Sequence, residues 1–446
     1  MGLRMRYKIA RGNEEISSTG GISLVGGIIR GMKMFGRISQ LTMGGVKKGW
    51  MSHGDILKCM VALLCEGRTD YADINSHKGD VVFMESLDIK NVPSEERLRQ
   101  RIEAAAETLT NEVLDGNLEL LAEFGDFGRE STAHNKYTPV DMDVSPMDNG
   151  GSRKEGVGRT YKGCDGYAPM FAYIGTSGHM LDAELRPGTQ HSQKDMDKFL
   201  TGVIDRIDYL GVDDALCILD SAHDASVNID IFQKRGVRFL IKRNPRFESP
   251  EQWLALGRRV GDAHSPRPGK TVFTGAASHI RPPNCESDEP LFVIFEVTER
   301  TIDANGDPLL IPDVKVDTWW TNLTDSPEEI IQLYHNHGTS EQFHSELKSD
   351  MGFERLPSGK FKTNALLLQL AMIAFNILRI MGQEALKLVD VIPVKVNVAR
   401  RRLRSVIQDL VYIACKRVSH ANAVFLKFGR NCPWFGVFRC LYLKLC

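Results

Sequence analysis

Acidic residues occur at or near the ends of two segments that the sequence pattern predicts to be β-strands. The run 215–219 is apolar throughout and is followed directly by Asp220. Asp141 and Asp143 alternate with apolar residues, so both project from one face of another strand. Ligands collect at the carboxyl ends of strands in open α/β sheets, and carboxylate oxygens are preferred ligands of Mg²⁺. In a plainer interpretation, Asp220 or Ser221 caps the next helix and the other two acids form a solvated face.

A third group of chemically capable side chains lies on one predicted helical stripe. Tyr334, Glu341 and Lys348 are seven residues apart, and at about 100° per residue they drift by only about 20° per step. His337 precedes Glu341 by four residues and therefore shares that stripe. One helix face would present a phenol, an imidazole, a carboxylate and an ammonium group. A charged and solvated helix face is the plainer interpretation of the same pattern.

The elements that must position these residues are predicted from hydrophobic periodicity. Residues 136–244 contain three meandering strands, followed by helix, strand, helix and strand. By analogy, this is the order of a ribonuclease-H-like domain, which makes the predicted fold class α/β. In chain order, the predicted elements cover 140–144, 167–175, 180–188, 193–210, 215–220, 223–235 and 238–243.

The helical stripe belongs to a longer segment that resembles a known family signature. The sequence from Tyr334 to Lys348 is similar to the Tyr-x2-Arg-x3-Glu-x6-Lys pattern of a large group of bacterial insertion-sequence transposases, with His337 in place of the arginine. The similarity continues to about residue 366 and spans most of the chain from about residue 20. It also includes Leu185-Arg-Pro-Gly-Thr, the Leu219-Asp-Ser turn and Trp319-Trp-Thr-Asn-Leu.

This resemblance implies roles for individual residues. In the group, the first catalytic aspartate lies in an Asp-x-Thr or Asp-x-Ser strand motif, which matches Asp143-Val-Ser and makes Asp141 the second choice. The second aspartate matches Asp220, the glutamate matches Glu341 and the lysine matches Lys348. The resemblance also implies a β-rich insertion between the second aspartate and the glutamate.

The implied chemistry is DNA phosphodiester cleavage with two bound Mg²⁺ (or Mn²⁺) ions. Asp143, Asp220 and Glu341 would bind both ions, which lie about 3.5–4 Å apart in such sites. Tyr334, His337 and Lys348 would contact DNA phosphates. A histidine in the arginine position loses the bidentate fork and is mostly neutral near pH 7.

The resemblance further implies cut-and-paste transposition by a homodimer. Two protomers would synapse the terminal inverted repeats of double-stranded DNA, cleave there and join the ends to a target DNA. Some relatives stack an extruded base on an aromatic side chain of the insertion, a role open to Trp319 and Trp320. The favoured interpretation of these two residues is a buried strand start.

The predicted domain organisation places the catalytic core between two DNA-binding regions. The glycine-rich stretch 20–31 lacks G-x-G-x-x-G spacing, and we expect a turn-rich connector there. The predicted regions are a helical N-terminal DNA-binding region (1–128), the first part of the ribonuclease-H-like core (129–244), a β-rich insertion (245–318), the second part of the core with the glutamate helix (319–385) and a basic, helical C-terminal region (386–446).

Charge is distributed unevenly along the chain. The formal net charge is −1, whereas the segment 394–446 has eleven basic residues and one acid, Asp409. Such asymmetry suits a protein that grips a polyanion with one part and binds cations with another. The predicted DNA contacts in this segment are Arg400, Arg401, Arg402 and Arg404.

Cysteine usage and hydropathy indicate the expected compartment. The nine cysteines form no CxxC pair and no cluster at zinc-ligand spacing, which is typical of buried thiols in a reducing environment. The N-terminus lacks the apolar core of a signal peptide, and the apolar helix near 364–381 is predicted to be too short to span a bilayer. We expect a cytoplasmic, nucleoid-associated bacterial protein without a membrane partner.

Two alternatives use the same residues. One is a decayed transposase copy that binds specific DNA sequences without catalysis, and the histidine at position 337 is its main support. The other is a ribonuclease-H-like nuclease without strand transfer, which would share the carboxylates but not need end-specific binding.

Overall fold

The computed structural model of the protein describes residues 7–41, 51–246, 248–287, 289–303, 305–394, 398–421 and 423–446. Residues 1–6, which belong to the N-terminus examined above for a signal peptide, and the basic residue Lys395 lie outside the described residues. Contacts divide the described residues into two compact units: one from Met1–Ala105 together with Met381–Cys446, and one from Ala106–Ile380.

Helices and strands alternate through the second unit, and helices dominate the first. The helices are α1 (Ile22–Gly31), α2 (Lys33–Gln40), α3 (His53–Cys65), α4 (Val81–Leu87), α5 (Glu95–Ala105), α6 (Thr110–Phe124), α7 (Met196–Tyr209), α8 (Ser226–Arg235), α9 (Pro250–Val260), α10 (Pro327–Asn336), α11 (Ser340–Ser345), α12 (Phe361–Leu386), α13 (Leu403–Val406) and α14 (Phe435–Leu445). The strands are β1 (Glu15–Ser17), β2 (Glu130–Ser131), β3 (Lys136–Val144), β4 (Met147–Asp148), β5 (Gly158–Arg159), β6 (Asp165–Tyr167), β7 (Met170–Ile174), β8 (His179–Glu184), β9 (Ala215–Leu219), β10 (Arg238–Arg243), β11 (Asp262–Arg267), β12 (Lys270–Ile280), β13 (Leu291–Ile302), β14 (Pro308–Thr321), β15 (Cys415–His420) and β16 (Ala423–Phe428).

The central sheet has the strand order of a ribonuclease-H-like fold. Its core runs β8-β7-β3-β9-β10. β7 is antiparallel to both of its neighbours, β8 and β3, and β9 and β10 run parallel to β3. The predicted α/β fold class and the predicted sequence of strands and helices are confirmed.

The predicted β-rich insertion extends this sheet and does not form a separate one. β14 pairs antiparallel with β10, and β13, β12 and β11 follow outward in a meander. Trp319 and Trp320 are buried, as expected, but they lie near the end of β14 and not at a strand start.

The alternation in β3 assigns its side chains to opposite faces of the sheet. Val140, Met142 and Val144 are buried in one core cluster with apolar residues of α7 and α8. The opposite face of the sheet packs in a second cluster with α10. Because successive side chains of a strand point to opposite faces, Asp141 and Asp143 lie on the α10 face.

Helix α12 is longer than predicted. It has 26 residues and is the one helix in the described part of the chain that is long and apolar enough to cross a membrane. In its most apolar 18-residue stretch, 94% of the helix is buried inside the protein. Its amide side chains bond the edge strand β8: Asn376 accepts from the Met180 amide and donates to the Met180 carbonyl, both at 2.8 Å. Such burial and bonding are those of a core helix.

The glycine-rich stretch forms helix α1, so the predicted connector is wrong. Residues Ile22–Ile29 of this helix are buried. A Cβ at Gly26 would lie 2.0 Å from the Ser86 carbonyl oxygen, and one at Gly27 would lie 1.9 Å from the Cys446 sulfur. Glycine at these two positions allows α1 to pack closely against its neighbours and does not form turns.

The basic C-terminal region is only partly helical. It contains α13 and α14, but between them β15 and β16 form an antiparallel hairpin, and β1 from the N-terminus adds a third strand. The hairpin sequence carries Val and Phe, which favour strands, so the structure corrects the all-helical prediction for this region.

Candidate active site

Asp143 and Asp220 stand side by side at the carboxyl ends of adjacent parallel strands. The register pairs Met142 of β3 with Leu219 of β9, and the two aspartates are the next residues on these strands. Burial raises the pKa of Asp220, and the negative charge of Asp143 raises it further. The two carboxylates are therefore close enough to repel each other.

Asp143 and Asp141 have different surroundings. The Asp143 side chain is 28% exposed, and its Oδ1 accepts a 2.7 Å hydrogen bond from the Val144 amide. Burial would raise the pKa of Asp143, but His344, whose Nε2 lies 3.6 Å from Oδ2, lowers it below its usual value. Asp141 is only 7% exposed, and its Oδ1 lies 2.8 Å from His337 Nδ1. Asp143 is therefore the more accessible of the two carboxylates, whereas Asp141 is enclosed and paired with His337.

Asp220 lies at the end of a strand and also caps the turn that follows. It ends strand β9, and its Oδ1 accepts a 3.1 Å hydrogen bond from the Ala222 amide, which caps the short 3₁₀ turn Ser221–His223. The cap fixes the carboxylate at the strand end and leaves its second oxygen available for a ligand.

The segment predicted as one glutamate helix is broken into pieces. Helix α10 begins with a capping box between Ser326 and Glu329, and a 3₁₀ turn at His337–Thr339 separates it from α11. A π-helical turn at Glu346–Asp350 follows. A 3₁₀ turn advances about 120° per residue where an α-helix advances about 100°. The single predicted stripe is therefore not continuous.

The side chains of the predicted stripe consequently differ in exposure and partners, although the Tyr334 and His337 rings lie 5.8 Å apart. Glu341 is exposed, and Tyr334 is half-buried. Lys348 donates a 2.5 Å hydrogen bond to the Pro146 carbonyl, and burial lowers the pKa of its ammonium group. His337 points inward to Asp141.

Tyr161 lies in the electrostatic field of the three carboxylates of the predicted triad. Tyr161 donates a 2.9 Å hydrogen bond to the Val144 carbonyl. Burial raises the pKa of its phenol, and the charges of Asp143, Asp220 and Glu341 raise it further.

Sequence reasoning missed three residues at this edge: Tyr161, Lys242 and His344. Lys242 follows Ile241, which pairs with Leu219, so it lies beside Asp220, and its positive charge offsets part of the rise in the pKa of that carboxyl group. His344 follows His337 by seven residues, a helical repeat that could have identified it. No comparable sequence signal marks Tyr161.

The donor set fits a divalent cation only in part. Two adjacent carboxylates whose charges repel each other are suitable oxygen ligands for Mg²⁺ or Mn²⁺. Across the described residues, however, no group of three His, Cys, Asp or Glu side chains is close enough to hold a metal ion together. Asp143 and Asp220 would hold the ion, and Glu341 would complete the set only by moving closer.

The predicted arginine contacts of the C-terminal region differ in exposure. The Arg401 side chain is buried, its guanidinium lies 4.2 Å from the centre of the Trp434 ring, and it pairs with Asp409. This arginine therefore holds the first unit together locally. Of the others, Arg400 is half-buried and Arg402 and Arg404 are exposed.

Two family models match the chain. The model described as Transposase DDE domain group 1 matches residues 4–247 and 311–446, and the gap falls within the insertion. The model described as Transposase DDE domain matches residues 134–377. No curated protein matches the chain.

Solved structures are similar to this chain, and one of them, at low identity, is a transposase complex. It is described as a cryo-EM structure of the piggyBac transposase synaptic complex with hairpin DNA. The match has 9% sequence identity and a TM-score of 0.41, and it covers 89% of this chain and 80% of that one. Since the first family model covers most of the sequence, the chain belongs to the DDE transposase family.

Proposed function

We propose that this chain cleaves DNA at transposon ends and joins those ends to a target DNA, in cut-and-paste transposition. Asp143, Asp220 and Glu341 are the proposed ligands of two divalent ions, Mg²⁺ or Mn²⁺. The observation that carries the proposal is the pair Asp143 and Asp220, side by side at the carboxyl ends of β3 and β9. Transposase DDE domains generally use divalent metal ions.

The protein's own residues would hold the ligand carboxylates in place. The Val144 amide and His344 orient Asp143, and the Ala222 amide orients Asp220. When bound, two divalent ions would activate the attacking hydroxyl group or water and stabilise the leaving 3′-oxygen. Lys242, which pairs with Asp317 at 2.8 Å, adds a positive charge beside Asp220.

The proposed partner is double-stranded DNA: the terminal inverted repeats and the target. Tyr334 and Lys348 are half-buried near the carboxylates and are proposed to contact the DNA backbone. His337 is a proposed contact only if it leaves Asp141. The predicted N-terminal region 1–128 and the exposed Arg402 and Arg404 are proposed to bind the flanking duplex. A homodimer acting at the bacterial nucleoid in the cytoplasm is part of the same proposal.

A duplex that carries the inverted repeats flanking the gene tests this function. With Mg²⁺ present, which carboxylates of such sites bind, we expect cuts at the repeat ends, and we expect none with excess EDTA. Binding of the ends without any cut would support the decayed copy, which the inward orientation of His337 favours. Cuts without preference for the ends would support a nuclease.

The pairing of His337 with Asp141 should make stability depend on pH. Burial alone would lower the pKa of His337, but Asp141 and the neighbouring aspartates raise it above its ordinary value of 6.5. The folded chain therefore holds this proton more tightly than the unfolded chain, so the stabilisation is complete below pH 6.5 and is lost as the pH rises through the folded-state pKa. We expect His337→Gln to reduce stability at pH 6 and to reduce it less at pH 8.

Urea unfolding of both proteins at several pH values measures this difference. His335→Gln is the matched control, because His335 is an exposed histidine in the last turn of α10, two residues before His337. A wild-type advantage over His337→Gln that stays constant from pH 6 to pH 8 would contradict an ion pair with Asp141.

A further inference from the structure

The three-stranded sheet of the first unit has one covered and one exposed face. The register aligns Ser17 of β1 with Cys415 of β15, and Cys415 with Phe428 of β16. Ser17 and Cys415 are buried. The next aligned row, on the other face, is Ile16, Lys416 and Lys427. Ile16 is 66% exposed and both lysines are exposed.

The exposed face places like charges directly opposite each other. Lys416 and Lys427 are cross-strand partners, an arrangement that destabilises a sheet unless the charges are neutralised. The acid nearest to Lys416 is Glu14, at 3.8 Å. The acids Glu15 and Glu85 bind Arg417, which points to the covered face.

Apolar and aromatic groups continue the same face toward the hairpin tip. The row beyond the lysines pairs Val418 with Phe425, and Phe425 is 48% exposed. The His420 ring lies 5.6 Å from the Phe425 ring, edge to face. The exposed face is therefore the set Ile16, Lys416, Val418, His420, Phe425 and Lys427, which we call the hairpin face.

We propose that the hairpin face binds the sugar-phosphate backbone of duplex DNA. This inference rests on the proposed function, since it assumes a DNA substrate. Two exposed lysines that are adjacent across the strands complement two phosphate charges, which would relieve their mutual repulsion. Ile16 and Phe425 on either side offer apolar surface to the deoxyribose rings. The hairpin face is distinct from the arginines at 400–404 that the sequence alone indicated.

The salt dependence of DNA binding tests the proposal. Each phosphate contact contributes about 0.9 to the slope of log K against log salt concentration. The double variant Lys416→Gln/Lys427→Gln should therefore flatten the slope by about two units, measured by fluorescence anisotropy with full-length protein and a labelled end duplex. The variant should unfold at the same or a higher temperature, because the opposed charges are gone.

A matched control makes the same charge change elsewhere. Lys198→Gln/Lys234→Gln removes two exposed lysines from α7 and α8, where they pair with Asp195 and Glu286. The control should retain the wild-type slope. If both double variants lowered the slope of log K against log salt concentration equally, net charge alone would explain the effect, and the proposal would be contradicted.

A third variant separates apolar contact from charge. Phe425→Ser should weaken duplex binding by a few fold at every salt concentration without a change in slope.

A Lys416→Gln/Lys427→Gln variant with the wild-type slope would contradict DNA binding by the hairpin face but would leave the transposase proposal intact. A wild-type protein that binds the end duplex without any salt dependence would overturn both.

Discussion

Asp220→Asn should abolish DNA cleavage while leaving the protein folded. Asparagine is as good an N-cap as aspartate, so the hydrogen bond from the Ala222 amide that orients residue 220 is retained. The lost charge removes a proposed metal ligand. Metal stabilisation of the transition state contributes several kcal/mol, and about 1.4 kcal/mol corresponds to tenfold in rate. We expect a loss of about 10³-fold or more in single-turnover cleavage of an end duplex.

Asp143→Asn should likewise abolish cleavage, because it removes the charge of a proposed metal ligand. The protein should stay folded, because the Val144 amide can donate to the asparagine oxygen as it does to the carboxylate. Glu341→Gln, at an exposed position, should also prevent cleavage. All three variants should bind the end duplex within a few fold of wild type, as measured by mobility shift, since other residues grip the DNA.

Asp141→Asn is the matched control on the same strand. Its carboxylate is enclosed and already paired with His337, so its loss should affect stability more than cleavage. The assignment would be reversed by an Asp143→Asn protein that cuts at a near wild-type rate beside an inactive Asp141→Asn protein.

The alternation of β3 and the strand order were predictable from sequence because both depend on local periodicity. Val140, Met142 and Val144 had to face a core, which placed the aspartates on the other face. Asp220 followed an apolar strand and therefore had to emerge at its carboxyl end. These inferences need no knowledge of which distant elements pack together.

The features that sequence reasoning missed depend on distant packing. From the sequence, Gly26 is interpreted as a turn residue. Its role in close helix packing depends on the Ser86 carbonyl, which is distant in the sequence. The inward orientation of His337 follows from a 3₁₀ turn and from Asp141, almost two hundred residues earlier in the chain. Arg401 reads as a surface cation, but Trp434 and Asp409 enclose it.

Glu346→Leu should destabilise the second unit more than other single changes away from the triad. Glu346 lies between Glu341 and Lys348, and its Oε2 accepts a 2.9 Å hydrogen bond from Arg379 of α12. Both side chains are almost fully buried, at 2% and 0% exposure. Removing one partner of a buried ion pair leaves an uncompensated charge and costs about 3–5 kcal/mol. We expect a loss of that size in the free energy of unfolding by urea.

The double variant Glu346→Leu/Arg379→Met tests whether the lost charge balance is the cause. Replacing both members of a buried ion pair by apolar residues is often neutral or stabilising, and Phe343 and Phe375 already line the site of Arg379. The double variant should therefore regain most of the stability that Glu346→Leu loses. Glu107→Gln, which breaks the exposed pair between Glu107 and Lys362, should change nothing measurable. If the double variant were as unstable as Glu346→Leu, the uncompensated charge of Arg379 would not be the cause of the lost stability. The hydrogen bond and packing of the two side chains would then be what stabilises the contact between the glutamate segment and α12.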